Sequence, residues 1–318
     1  MPHAGEFFQD RARPLMHPGR MVLHQGAGRR GPHPLSAEQP GPIRSDTHQG
    51  PPRPEPEKNE DATGNSGPRW DEFDPGIYHA HNYAVLRDDD QQILEGVRDF
   101  FATFAAATAA DRPWYGLDIG TGSNLYPALS MLPWCGRITL WEHSASNVAW
   151  LGEEIRSYST TWDPFWRVLT QERSYLAVAD PRRTLAERAV VERGSVFDLP
   201  RYRWDIGTMF FVACSISGRM ADFRRASESF LNALVPGAPF AMAYMERSSG
   251  YQVGGIAFPA VSVGMHDIIV SLDGMTTDLK SDRFVGTEML RDGYAGMVLV
   301  RGRTRRREPA GPTTSAGA

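Results

Sequence analysis

From residue 91 onward the apolar positions alternate between two periods. Ile93, Leu94, Val97, Phe100, Phe101 and Phe104 recur about every 3.6 residues and predict an amphipathic helix with one face in a core. After it, 114–119 is a short apolar run closed by Gly120-Thr-Gly122, the pattern of a buried strand feeding a glycine-rich turn. A helix over about 125–132 separates this run from a second strand at 137–142. Further strands are predicted at 190–196, 204–212, 239–245, 284–290 and 296–301, and a helix at 222–234 turns Phe223, Ala226, Phe230, Leu231 and Leu234 inward. Strands alternating with helices predict an α/β fold, a mostly parallel sheet with helices on both faces. The last two strands are joined by a turn at Asp292-Gly293, too short for a helical crossover, so they are expected to be antiparallel.

The first 69 residues break this pattern. They hold half of the chain's 24 prolines and nine of its 31 glycines with almost no spaced apolar residues, so a disordered tail is expected there. Five of the nine histidines (His3, His17, His24, His33 and His48) lie in it without ligand spacing. One folded domain is expected over 70–304, opening with an arm at 70–90, and a second disordered tail over 305–318.

Composition narrows the function classes. A net charge of −4 gives no general attraction to nucleic acid or to an anionic membrane, and the basic run 301–307 reads as a solvated terminus. All but two of the 34 basic residues are arginine, a bias that fits a GC-rich genome. Cys135 and Cys214 cannot build a disulfide framework, and His79 and His81 have no third ligand nearby, so no metal is expected. The N-terminus lacks a secretory apolar core and the most apolar stretch, 100–110, is too short to span a bilayer. A cytoplasmic monomer acting on a small molecule is the expectation.

The chemistry lies at the ends of the first two strands. A dinucleotide fingerprint would require a third glycine at Leu125, which disfavours NAD. Asp118 opens the loop and Glu142 ends the next strand. Together they suit a ligand with a cationic amino-acid end and a ribose diol, which points to S-adenosylmethionine (SAM) as cofactor.

Several segments make the pattern more specific. Phe73-Asp-Pro75 precedes Tyr78 and Tyr83; Asp118-Ile-Gly-Thr-Gly122 precedes Tyr126; Glu142 is followed by Ser144 and Asn147. Trp162-Asp-Pro164, Val235-Pro-Gly237 and residues 248–251 complete the set. With these motifs the folded part resembles the class I SAM-dependent methyltransferases of the nicotinamide, phenylethanolamine and thioether or indolethylamine N-methyltransferase branch, as an actinobacterial offshoot of it. The resemblance implies a Rossmann-like fold, a seven-stranded mostly parallel sheet whose last strand is antiparallel. It also implies an N-terminal arm that closes over the cofactor with Tyr78 and Tyr83 against the methionine end. Gly120, Thr121, Gly122 and Tyr126 would line the methionine side, Glu142, His143 and Asn147 the ribose and adenine side, and Val196 the adenine. Ser195 stands where the family usually has an aspartate.

Two departures bear on the acceptor. Residues 211–216 carry no acid where amine-methylating relatives have one, and Tyr244 replaces another relative's aspartate. The loss of negative charge argues for a neutral or aromatic acceptor rather than a cationic amine. Tyr78, Tyr244, Tyr251 and His143 are the candidate bases for a hydroxyl acceptor. A SAM-binding protein without transfer activity is the alternative to an enzyme.

Overall fold

The computed structural model describes residues 69–286 and 293–305. The expected tails at 1–69 and 305–318 and the Asp292 turn position therefore lie almost entirely outside the described residues.

A single 3-10 turn at Trp70–Glu72 leads into helix α1, Pro75–Asn82. Asp74 caps it by accepting from the Ile77 N–H at 2.9 Å, and Pro75 occupies the first turn, where no N–H is needed. Helix α2, Asp88–Ala106, begins three residues before the hydrophobic pattern does, because Asp88, Asp89 and Asp90 occupy its first turn. Ile93, Leu94, Val97 and Phe101 are its fully buried face.

Strand β1, Trp114–Ile119, is followed by α3, Tyr126–Met131, and β2, Cys135–Glu142. Then come α4 (Ala145–Glu154), α5 (Asp163–Leu169), α6 (Arg173–Leu176), α7 (Pro181–Arg188), β3 (Ala189–Arg193), β4 (Ile206–Phe210), α8 (Met220–Ala233) and β5 (Pro239–Glu246). A two-stranded hairpin, β6 (Gly250–Val253) and β7 (Ile256–Pro259), precedes α9 (Met265–Leu272), β8 (Thr276–Phe284) and β9 (Gly296–Thr304).

The main sheet has seven strands in the order β3-β2-β1-β4-β5-β9-β8. Pairings among β1 to β5 are parallel, and β9 runs antiparallel to both β5 and β8. This is the expected Rossmann-like arrangement, with the last strand of the chain reversed. Helices cover both faces. A side chain at Gly116 would meet Met131 of α3, whereas one at Gly207, in register with Leu117 and so on the opposite face, would meet Phe230 and Leu234 at α8. No helix among the described residues is long and apolar enough to cross a membrane.

Three strand boundaries differ from expectation for local reasons. Strand β3 stops at Arg193 because Ser195 caps a 3-10 turn at Val196–Asp198, accepting from the Phe197 N–H at 3.2 Å. Strand β4 stops at Phe210 because Phe211 has φ +61, outside the extended region. The partner of β9 is Thr276–Phe284 rather than 284–290, of which 287–290 lie outside the described residues. Antiparallel pairing of the last two strands nevertheless holds.

Candidate functional site

In an open α/β sheet ligands sit beyond the carboxyl ends of the strands where the strand order reverses. Here that point lies between β1 and β4, and a cleft with about 860 Å³ of space, its mouth included, opens there. The loop after β1, the ends of β2 and β4, and Gly194 with Val196 after β3 form its floor and walls. Trp70, Phe73, Tyr78 and Tyr83 of the arm and Tyr251 of the hairpin form its roof.

The glycine-rich loop is shaped by its backbone. Gly120 and Gly122 have φ +58 and +56, and a methyl group at Gly120 would stand 2.5 Å from Val212 Cγ2. The loop is tied to β2 on both sides. The Gly120 N–H donates to the Trp141 carbonyl at 2.7 Å, and the Gly122 N–H donates to Glu142 Oε2 at 2.9 Å. The other carboxylate oxygen of Glu142 accepts from the Ser144 N–H at 2.8 Å. Ser144 in turn caps α4 by accepting from the Asn147 N–H. One acid thus fixes both the loop and the start of α4. The Asn147 side chain and the His143 N–H also act on this carboxylate. Burial raises the Glu142 pKa, and the Ser144 and Gly122 amides oppose that rise.

Asp118 is buried at the end of β1. Its Oδ1 accepts from the Thr208 hydroxyl at 2.7 Å, while Oδ2 has no partner. Burial pushes its pKa up to about 7, against the Thr208 and Thr121 hydroxyls, which lower it. A carboxyl raised in this way stabilises the fold most at low pH. That contribution falls as pH rises from about 4 through about 7, where an unpaired buried charge forms.

Buried polar atoms without partners are rare in native folds and call for an explanation. Six such side-chain atoms occur among the described residues, and four belong to residues lining this cleft: Trp70 Nε1, Asp118 Oδ2, Ser123 Oγ and Asn147 Oδ1. Four of the residues around the cleft thus each carry a buried polar atom that the protein itself leaves unpartnered. Its other end is apolar, with Phe210, Phe211, Val212 and Ile216 facing Phe73, Tyr78 and Tyr251. Phe211 holds its left-handed backbone with its N–H donating to the Ala243 carbonyl at 2.7 Å. A non-glycine residue in that region costs on the order of 1–3 kcal/mol and is commonly found at functional sites.

Of the residues singled out from sequence, Tyr78, Tyr83, Asp118, Gly120, Thr121, Gly122, Glu142, His143, Asn147, Val196 and Tyr251 all line the cleft. Three do not. Tyr126 is fully buried beneath the loop, stacked on Phe165 at 5.5 Å with its hydroxyl donating to Asp90 Oδ1 at 2.9 Å. Tyr244 is fully buried in β5, with its ring 5.7 Å from Phe223 of α8 and its hydroxyl donating to Met242 Sδ. Burial raises its pKa far from a base's useful range. Ser195 spends its hydroxyl on the cap described above. Conversely, Trp70, Ser123, Trp141 and Gly194 line the cleft without having been singled out. A side chain at Gly194 would stand 2.3 Å from the Trp141 ring, a packing constraint that only the folded chain reveals. Among the described residues no cluster of His, Cys, Asp and Glu is arranged to hold a metal ion.

No protein-family model matches this sequence, and no curated protein is significantly similar to it. Solved structures similar in fold include the N-methyltransferase NodS from Bradyrhizobium japonicum WM9 in complex with S-adenosyl-L-homocysteine, at 12% identity and a TM-score of 0.40 over 73% of this chain and 99% of that one. The 1,6-didemethyltoxoflavin-N1-methyltransferase of Burkholderia thailandensis, bound to 1,6-didemethyltoxoflavin and S-adenosylhomocysteine, is 13% identical with a TM-score of 0.41 over 68% and 80%. The CurJ carbon methyltransferase is 10% identical with a TM-score of 0.45 over 74% and 62%. These likenesses do not extend to the nicotinamide and phenylethanolamine branch or to an actinobacterial origin. At this level of similarity they carry no argument about ligand or reaction, which rests on the cleft itself.

Proposed function

We propose that this chain is a SAM-dependent methyltransferase that transfers a methyl group to an uncharged aromatic small molecule. The observation that carries the reading is the pair of buried carboxylates at adjacent strand ends, both lining the cleft: Asp118 with an unpartnered oxygen, and Glu142 beside the glycine-rich loop. An α-ammonium group satisfies the first. A vicinal ribose diol satisfies the second. Asn147 Oδ1 and the apolar Val196 suit the adenine end, and the roof tyrosines Tyr78 and Tyr83 suit the methionine end.

When bound, SAM supplies a methyl group on a sulfonium, open to in-line attack. The protein's part is to align acceptor and donor, and alignment alone is worth effective molarities of roughly 10⁵–10⁸ M. The aromatic walls at Phe210, Phe211, Tyr78 and Tyr251 orient a planar acceptor and exclude water. The acceptor end carries no carboxylate or cationic side chain, which favours a neutral acceptor over an amine. For a hydroxyl acceptor, Tyr78, Tyr251 and His143 are the groups in the cleft able to take the proton.

The ammonium contact has a proton-linked signature. A cation beside Asp118 favours its ionised form, so binding below about pH 7 expels a proton. Titrating the protein with S-adenosylhomocysteine near pH 6 in buffers of different ionisation enthalpy is expected to show release of close to one proton, and near pH 8 close to none. Affinity climbs with pH by up to about tenfold per unit below about 7, and Asp118→Asn flattens that slope. A pH-independent affinity in the wild type contradicts the assignment of Asp118.

A further inference from the structure

Four roof residues, Trp70, Phe73, Tyr78 and Tyr83, come from the arm, so a ligand that fills the cleft lies against it. What holds the arm down is therefore of functional consequence. Besides ring contacts such as Trp70 and Phe73 against Phe258, each 5.2 Å between centroids, polar contacts fasten it to the body. His79 Nε2, in α1, lies 3.2 Å from the Thr161 hydroxyl, and a group of contacts joins Asp71 and Phe73 to α4 and Arg193. Asp71 Oδ1 accepts from the Ala145 N–H, the first residue of α4, at 2.7 Å. Arg193, the last residue of β3 and in register with Glu142, has its Nη2 3.0 Å from both oxygens of Asp71. The Ser146 hydroxyl donates to the Phe73 carbonyl at 2.6 Å.

The body side of these ties is not arbitrary surface. Arg193 Nε also donates to the His143 carbonyl at 3.1 Å, so one guanidinium joins the arm to the segment between Glu142 and Asn147. That segment is the wall assigned above to the ribose and adenine. Asp71 at the N-terminal end of α4 has the polarity that a helix dipole favours. Its carboxyl is held below the usual range chiefly by the Ala145 N–H, with the Arg193 cation adding to the effect.

We propose that Asp71 and Arg193 are positioning residues that latch the arm over the cleft and thereby set the rate at which the spent cofactor leaves. The inference rests on the SAM reading for the identity of the ligand, but the latch itself is a property of the ligand-free fold. Both side chains are more than half exposed, so the pair is screened by salt and its effect is moderate. A contact of this kind, broken when the ligand departs, acts mainly on the dissociation rate.

The test follows S-adenosylhomocysteine release by stopped-flow, using the fluorescence of Trp70 and Trp141 in the cleft, together with hydrogen exchange of the arm amides in the ligand-free protein. Asp71→Asn keeps an acceptor for the Ala145 N–H and removes the charge that faces Arg193; Arg193→Gln removes the other half. Each is expected to speed release roughly two- to fivefold and to raise exchange across 75–83, and the double variant to release no faster than the faster single one. About 1 M NaCl brings the wild type toward the variants and leaves the variants unchanged. Arg183→Gln, which breaks the remote exposed pair with Glu187, serves as a control and leaves both readouts at wild-type values. Unchanged arm exchange in Asp71→Asn and Arg193→Gln overturns the latch. Raised exchange with unchanged release shows a latch that does not govern the ligand and overturns the proposal. If the arm exchange rises but the wild type does not bind S-adenosylhomocysteine at all, the cofactor reading has failed, and the claim about release falls with it.

Discussion

Glu142→Ala is expected to weaken S-adenosylhomocysteine binding by at least about a hundredfold. The substitution removes the proposed diol acceptor and, at the same stroke, the partner of the buried Ser144 N–H and of the part-buried Gly122 N–H. A hydrogen bond to a charged group is worth about 1.5–3 kcal/mol, so losing two to a ligand alone reaches the hundredfold range. Each orphaned amide adds a desolvation penalty of about 1–3 kcal/mol to the free protein as well. The alanine variant is therefore also less stable, which makes Glu142→Gln the informative companion. It keeps the side chain's volume and an acceptor for one of the two amides, turns its NH2 toward the other and loses the negative charge, so it is destabilised less than the alanine variant while binding falls by roughly tenfold. Calorimetric affinity and thermal unfolding on both variants separate the two effects. Wild-type affinity in folded Glu142→Ala would remove Glu142 from the ligand site.

Gly120→Ala is the second large effect, and its origin is steric rather than chemical. The new methyl group would lie 2.5 Å from Val212 Cγ2, and the backbone at φ +58 disfavours any L side chain. Overpacking costs about 1–3 kcal/mol and the left-handed conformation about 1–2 kcal/mol, so a total of roughly 2–5 kcal/mol is expected. Since the loop cannot move without disturbing the Gly122 N–H bond to Glu142, ligand binding is lost along with stability. Gly122→Ala provides the contrast. Its φ is similar, but the nearest atom to its added methyl is 3.7 Å away, so only the backbone cost of about 1–2 kcal/mol applies. Adding Val212→Ala to Gly120→Ala recovers the packing part and leaves the backbone part. If the double variant melts no higher than Gly120→Ala alone, the clash with Val212 is not the cause.

Much of this architecture is legible in the sequence wherever burial imposes a pattern. Strands β1, β2 and β5 are buried apolar runs, and Ile93, Leu94, Val97 and Phe101 mark the inward face of α2 without ambiguity. Strand β8 was missed because it is an edge strand, polar on both faces and interrupted by a register shift between Thr277 and Lys280, so it has no alternation to detect. The β6–β7 hairpin did carry a signal. Gly254 and Gly255 both have positive φ between two short apolar strands, as a two-residue primed turn requires.

The site divides in the same way. Asp118, Gly120, Gly122, Glu142 and Asn147 are set by their distance from strand ends, which sequence records directly. Tyr126 has the right distance from the loop, but the first turn of α3 aims it at Asp90 and Phe165, toward α2 and α5 rather than the cleft. Tyr244 stands on a strand whose side chains alternate between faces, and its register puts it against α8. Trp70, Trp141 and Gly194 owe their roles to contacts across the chain, and so does the Asp71–Arg193 tie, formed by residues 122 positions apart. No local spacing encodes such a pair.

The central claim is that the cleft at the ends of β1, β2 and β4 takes an adenosylated amino acid. Calorimetric titration of the purified chain with S-adenosylhomocysteine, SAM and NAD, at about pH 8 where Asp118 is ionised, tests it most directly. Saturable binding of the first two at one site, with none of NAD, is the predicted result. Binding of NAD without either sulfur compound, or of none of the three, would contradict the account and leave the four unpartnered polar atoms of the cleft awaiting a different ligand.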